Sequence, residues 1–227
     1  MRRRATTRCQ MLLASTLVAL LAGCASGPPA PDWQASASGS LDRATSAYLE
    51  GDSRVAAQEF ARARSELART GDPALVARGE LTACAVQVAS LEFNECPAFA
   101  PLAVDAGADL QAYARYLSAS NSPADAGLLP AHHQPIAAGN ASPAAVGAIA
   151  DPLSRLVAAG VMLRRGAADP AIAKIAVDTA SAQGWRRPLL AWLMLQHKAA
   201  EAAQDGTGAA RLQRRIDLLL APGSASR

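Results

Sequence analysis

Aromatic side chains are scarce: Phe, Trp and Tyr make up 4% of the 227 residues. A cleft that grips sugars or flat cofactors needs more rings than that. Charge is thin as well, at 18%. Alternating β-branched and polar residues never persist for a strand's length, which argues against a sheet and leaves helices. The motifs of common chemistry are missing: no G-x-S-x-G, no phosphate-cradling glycine loop, no H-E-x-x-H and no closely spaced C-x-x-C. Histidine occurs three times. On a helix the adjacent His132 and His133 would diverge by about 100° and could not share a metal. In a loop they can, but no carboxylate or cysteine stands at ligand spacing. His197 falls on an apolar helical face, as a satisfied, half-buried side chain. The chain reads as a non-enzyme without metal or cofactor.

What is present starts at the N-terminus. Arg2, Arg3, Arg4 and Arg8 precede an apolar run over residues 11–21, the basic and hydrophobic regions of a secretory signal. That run supplies about half of the roughly 20 apolar residues a membrane-spanning helix needs. It ends in Leu21-Ala22-Gly23-Cys24, which resembles the recognition box of bacterial lipoproteins. The resemblance implies that residues 1–23 are removed and that Cys24 is acylated, and several acyl chains hold a protein stably on a membrane. Ala25, rather than aspartate, follows the cysteine, which in that family implies the outer membrane, facing the periplasm. An ordinary signal peptide cut at the A-x-A-like Ala22-Gly23-Cys24-Ala25 is the alternative.

The formal charge of +3 is misleading, because the leader contributes four arginines and no acids. The remaining chain carries 18 basic and 19 acidic residues, which gives no basis for nucleic-acid binding, since that requires a clustered positive field. The charges divide unevenly. Residues 24–125 hold 7 arginines against 13 acids, and residues 126–227 hold 11 basic side chains against 6 acids. Such asymmetry fits one half docking on the other, a basic face turned to anionic polymer or lipid headgroups, or two merely solvated helical surfaces.

With Cys9 in the leader and Cys24 acylated, Cys84 and Cys96 remain, in an oxidising compartment. If the chain reverses around residues 91–95 they can pair as a disulfide. If one helix ran through both, they would stand about 18 Å apart and stay as buried thiols. Pro97 favours the reversal, since proline disfavours helix at the residue before it.

Helical patterning fills the rest, giving an all-α expectation. Residues 24–39, small and proline-rich, read as a tether. Helices are expected from a cap at Ser40 to about Gly51, from Ser53 to Arg69, from Asp72-Pro73, and from Pro101 to Ser118. The third has Leu81, Cys84, Val88 and Leu91 on one face and Leu75, Gly79, Val86 and Phe93 on another, as a helix sandwiched between neighbours does. Residues 119–142 read as a loop or boundary between two helical halves, 40–118 and 143–221. Helices resume after Ser142-Pro143 and Asp169-Pro170, and again after the turn Gly184-Trp185-Arg186-Arg187-Pro188; a tail follows from residue 222.

Ala47-Tyr48-Leu49-Glu50-Gly51-Asp52, with Ala44, Ala56, Phe60 and Ala63 around it, resembles the centre of a tetratricopeptide (TPR) repeat. There small residues let two antiparallel helices approach and a large one plugs the gap. Asp205, Ala209 and the amphipathic helix after them echo it weakly, with Gln204 in place of the glycine and the large residue Leu212 out of register by one. The resemblance covers about one repeat and implies stacked antiparallel helical hairpins without a regular superhelix.

Trp185 and Trp192, with Arg186 and Arg187 between them, are the residue types that most often carry interface energy. Either they meet a partner or the tryptophans plug the space between hairpins. The expectation for function is a membrane-anchored periplasmic scaffold mediating protein–protein interactions in cell-envelope assembly, secretion or pilus biogenesis. The alternative is a peptidoglycan-binding or peptidoglycan-cleaving envelope protein, with Glu80 or Glu92 as its acid.

Overall fold

The computed structural model describes residues 31–167 and 169–221. The leader, Cys24, the first part of the expected tether and the tail lie outside the described residues. Within them the chain is all-α, with no strand. The helices are α1 (Asp32–Glu50), α2 (Ser53–Ala68), α3 (Pro73–Ala89), α4 (Ala108–Leu117), the short α5 (Gln134–Ala137) and α6 (Pro143–Gly147), then α7 (Pro152–Arg164), α8 (Pro170–Gln183), α9 (Arg186–Ala202) and α10 (Gly206–Leu220). Short 3-10 turns stand at Ala100–Leu102 and Pro123–Leu128.

An acid or serine followed by proline starts four of these helices, α3, α6, α7 and α8. Asp72, Ser142, Asp151 and Asp169 accept hydrogen bonds from the backbone N–H of Ala74 (2.9 Å), Ala145 (3.2 Å), Ser154 (2.7 Å) and Ala171 (2.7 Å). The proline behind each has no N–H to leave unsatisfied and a φ already suited to the first turn. Gly184, at φ 70°, turns the chain from α8 into α9, a left-handed conformation that glycine adopts without the Cβ penalty.

α3 is the central helix. It packs on α2, α4 and α7, while α7 leads through α8 to α9 and α10. Nine of its residues are buried, on the two faces expected of a sandwiched helix. At Gly160 of α7 an added Cβ would overlap the carbonyl oxygen of Val88, so the two backbones approach more closely there than any side chain allows. Gly79 makes similar room for Leu67 of α2.

The disulfide expectation matches the structure. Leu91 and Cys96 both adopt positive φ, 61° and 47°, the chain reverses, and Cys84 and Cys96 are bonded with 5.6 Å between their Cα atoms. Asn94 fixes the reversal: its Oδ1 accepts from the Cys96 N–H at 2.9 Å and its Nδ2 donates to Gln87 Oε1 at 2.6 Å.

Four expectations need correction. The tether does not extend to residue 39, because α1 begins at Asp32 and Ser40 lies buried within it rather than capping it. The small residues that resemble a linker are a packing face: Ala37 lies against Leu67 and Val76, with Trp33 on the same cluster. The helix expected over 101–118 is broken, and α4 starts only after Gly107. Gln111 Nε2 donates to the carbonyls of Ala103 and Ala106, at 3.0 Å each, and so satisfies the turn before it. The helix after Ser142-Pro143 is a single turn, with Asp151-Pro152 starting the next. Residues 119–142 are no boundary: Ala126, Leu129, Ile136 and Ala137 belong to the main core, which runs from Ala77 to Ile216. Arg115 braces this segment, bonding both carboxylate oxygens of Asp125 at 2.5 and 3.1 Å.

Candidate functional site

Around Gly51 the small residues Ala44, Ala56 and Ala63 are buried at 0%, 2% and 1%. Tyr48, Leu49, Ala56 and Val86 form a compact cluster, with Phe60 and Trp185 packed against it. The residues that carry the repeat-like pattern are therefore packing residues, and the segment opening α9 seats itself on them.

Of the two readings left open for the tryptophans, partner contact or plugs between hairpins, their packing fits the second: Trp185 lies against this cluster and Trp192 in the main core. Trp192 is 1% exposed and its Nε1 donates to the Ala89 carbonyl at 3.1 Å. That removes it from the candidate partner-binding set, because a side chain this enclosed by α3 and α9 has no face left to offer. Trp185 is half-buried and packs against two core clusters. Arg187 is tied into the fold: Nε donates to Tyr48 O at 2.7 Å, Nη2 to Ser53 Oγ at 2.5 Å, and Nη1 stands 3.3 Å from Glu92. Its guanidinium lies 4.3 Å from the centroid of the Tyr48 ring. A planar cation with several donors can serve a carbonyl, a hydroxyl and a ring face together; lysine cannot. Arg186 reaches Leu219 O at 2.6 Å, joining α9 to the end of α10.

Although bonded within the fold, both arginines border the surface. They line a depression of about 280 Å³ with Gly51, Ser53, Leu190 and Leu220. Leu190 and Leu220 also belong to a broad apolar depression of about 940 Å³, with Leu91, Met194, Leu195 and Ile216. Met194 and Leu220 are 56% and 61% exposed there. Contiguous apolar surface rimmed by polar groups is what interaction sites present, and methionine adapts to varied partners. His197 sits on this rim, 3.4 Å from Glu201. Sequence reasoning missed the patch because helical spacing puts Leu190 and Met194 on one stripe without showing whether a neighbour covers it.

A second depression, of about 580 Å³, lies between α3, α4, α7 and the segment 128–133. Leu81, Leu110, Leu129 and Val157 line it, with the rings of Tyr113, His132 and His133. His133 is 1% exposed, and its Nδ1 lies 3.1 Å from the Tyr116 hydroxyl. Burial, assisted by the neighbouring His132, pushes its pKa down to about 3, against an opposing pull from Asp151. The imidazole is therefore neutral across the ordinary pH range. The adjacent His132 is exposed, with 4.3 Å between the ring centroids. Among the described residues no group of three or more His, Cys, Asp or Glu side chains is placed to hold a metal.

The two acids named for a glycosidase are both paired. Glu80 bonds Arg64 beside a space of only about 10 Å³, far too small for a sugar ring. Glu92 stands at the surface next to Arg187. Compared with protein-family models, curated proteins and solved structures, the chain has no match among any of the three.

Proposed function

We propose that the protein is a lipid-anchored periplasmic scaffold, built of stacked TPR-like helical hairpins, that docks other proteins of the cell envelope. The observation that carries this reading is the exposed apolar surface on α9 and α10, where Leu190, Met194 and Leu220 adjoin Arg186 and Arg187. Buried small residues at Ala44, Ala56 and Ala63 support the hairpin build, and the sequence Leu21-Ala22-Gly23-Cys24 supports the anchor. In this reading Cys24 holds the helical body at the outer membrane and the α9–α10 face meets the partner.

A photo-crosslinking residue placed at Met194 in intact cells tests it. The expected outcome is a discrete protein adduct at position 194, absent from a control position on the outer face of α2 such as Gln58, and membrane release of the protein by Cys24→Ser. Lack of any position-194 adduct from correctly membrane-bound protein would refute the docking role, and adducts with peptidoglycan fragments instead would transfer the assignment to the cell wall. Membrane retention of the Cys24→Ser protein would refute the anchor.

A further inference from the structure

A further depression, of about 490 Å³, lies on the α8 side of α9. α9 packs against both α8 and α10. Leu195 and Ala199 of α9 form its floor above the buried Trp192, with Ile172 and Val177 on the α8 wall, Leu212 on the α10 wall and Leu163 at one end. On α9 the lining positions 192, 195, 196 and 199 repeat at helical spacing over two turns, a run of about 10 Å.

The charges around this groove are not equivalent. Lys174 is neutralised by Asp178 at 2.6 Å. Asp169 is engaged as the cap of α8, accepting from the Ala171 N–H. Arg211 and Arg215 stand one turn apart on α10 at the rim. Among the described residues no carboxylate lies within ion-pair distance of either. The groove thus joins an apolar floor to two cations lacking a counter-charge.

We infer that this groove binds a single-chain anionic amphiphile, its acyl chain along Leu195, Ala199 and Leu212 and its anionic head between Arg211 and Arg215. Size suits this occupant, since about 490 Å³ falls in the range of small-molecule sites. Hydrogen-bonding character agrees. The backbone groups of α8, α9 and α10 are satisfied inside their helices, and Gln196 is the neutral polar side chain in the lining, so an extended peptide would find little to pair with. An acyl chain needs no such partners, and a carboxylate or phosphate suits paired guanidinium groups. This inference does not depend on the docking face, with which the groove shares Leu195 alone.

The test uses the full chain carrying Cys24→Ser, with a diazirine derivative of dodecanoate as probe and peptide mapping of the adducts. Labelling is expected on α8, α9 and α10 at the groove, and dodecanoate affinity is expected to fall at least tenfold in Arg211→Glu/Arg215→Glu. Ala199→Trp fills the groove from an exposed position and should abolish labelling without changing the thermal melt. Lysophosphatidylglycerol competing with the probe would point to a lysolipid source, and competition by dodecanoate alone to a free fatty acid; both support the site. Equal binding of dodecyltrimethylammonium, labelling outside the groove, or indifference to both variants would overturn it. So would binding of an acidic helical peptide without any amphiphile, which would make the groove a protein site.

Discussion

His133 shows how a single side chain can couple the fold to pH. Its ring is held between Tyr116, at a centroid separation of 4.8 Å, and Tyr113, at 6.0 Å, and burial depresses its pKa to about 3. In the unfolded chain the same imidazole titrates near 6.5. As pH falls below that value the unfolded state gains a proton that the native state refuses, so stability drops between about pH 6.5 and pH 3 and is complete above that window. The contribution between pH 7 and pH 5 is at most about 2 kcal/mol. Urea unfolding of the parent and of His133→Asn, which retains an acceptor for Tyr116, should show the parent losing more stability over those two units by up to that amount. Equal losses would mean that the imidazole is not held neutral. The role of His133 was not legible in the sequence, because its burial depends on α4 and on a segment that resembles a loop. Cys84 and Cys96 were legible, since spacing and Pro97 bear directly on whether a bond can close. Trp192 was ambiguous in principle: tryptophan serves interfaces and cores equally, and only the packing of α9 on α3 decides between them.

At the scale of single elements, α7 depends on one missing side chain. Gly160 faces the carbonyl of Val88, with Val88 Cγ1 also within 3.0 Å of where a Cβ would stand. Alanine is the better helix former by about 1 kcal/mol in an exposed helix, but here it must push α7 off α3. Overpacking of this kind costs about 1–3 kcal/mol, so Gly160→Ala should lower the melting temperature by several degrees. An unchanged or raised melting temperature would show that the close approach is not maintained in solution. Helix starts were the most legible feature of the chain. Asp72-Pro73, Ser142-Pro143 and Asp169-Pro170 mark α3, α6 and α8, and Asp151-Pro152 carries the same signal for α7. The start of α1 was hidden because alanine, serine and glycine, read along the chain, look the same in a linker as in a tightly packed face. The break before α4 was hidden too, since the apolar stripe continues through Leu102 and Ala106 while the backbone leaves the helix. Exposed Met194 and Leu220 were invisible for a related reason: helical period reports which residues share a face, not whether a neighbour covers it.

Over the whole described molecule, the opposite charges of the two halves find a structural use. Arginines of the later half reach across to the earlier one: Arg164 donates to the carbonyls of Asn94 (3.0 Å) and Leu117 (3.2 Å) and pairs with Glu95, while Arg187 bonds Tyr48, Ser53 and Glu92. Arg165 reaches Asn121 and the Ile136 carbonyl in the segment between them. The exposed pairs contribute little by themselves, but an arginine that satisfies buried carbonyls removes a desolvation cost the backbone would otherwise bear. Joined to the contact of α3 with α7 and the bond from Trp192 to Ala89, these links leave neither half with a closed core. The domain from α1 to α10 should therefore unfold in one cooperative transition, with matching calorimetric and van't Hoff enthalpies. Residues 31–118 and 119–221, expressed apart, should not melt cooperatively, because each would expose the apolar face it now presents to the other. A cooperative melt of either piece alone, or two resolved transitions in the intact chain, would show instead that the halves are independent and that the crossing arginines only decorate their contact.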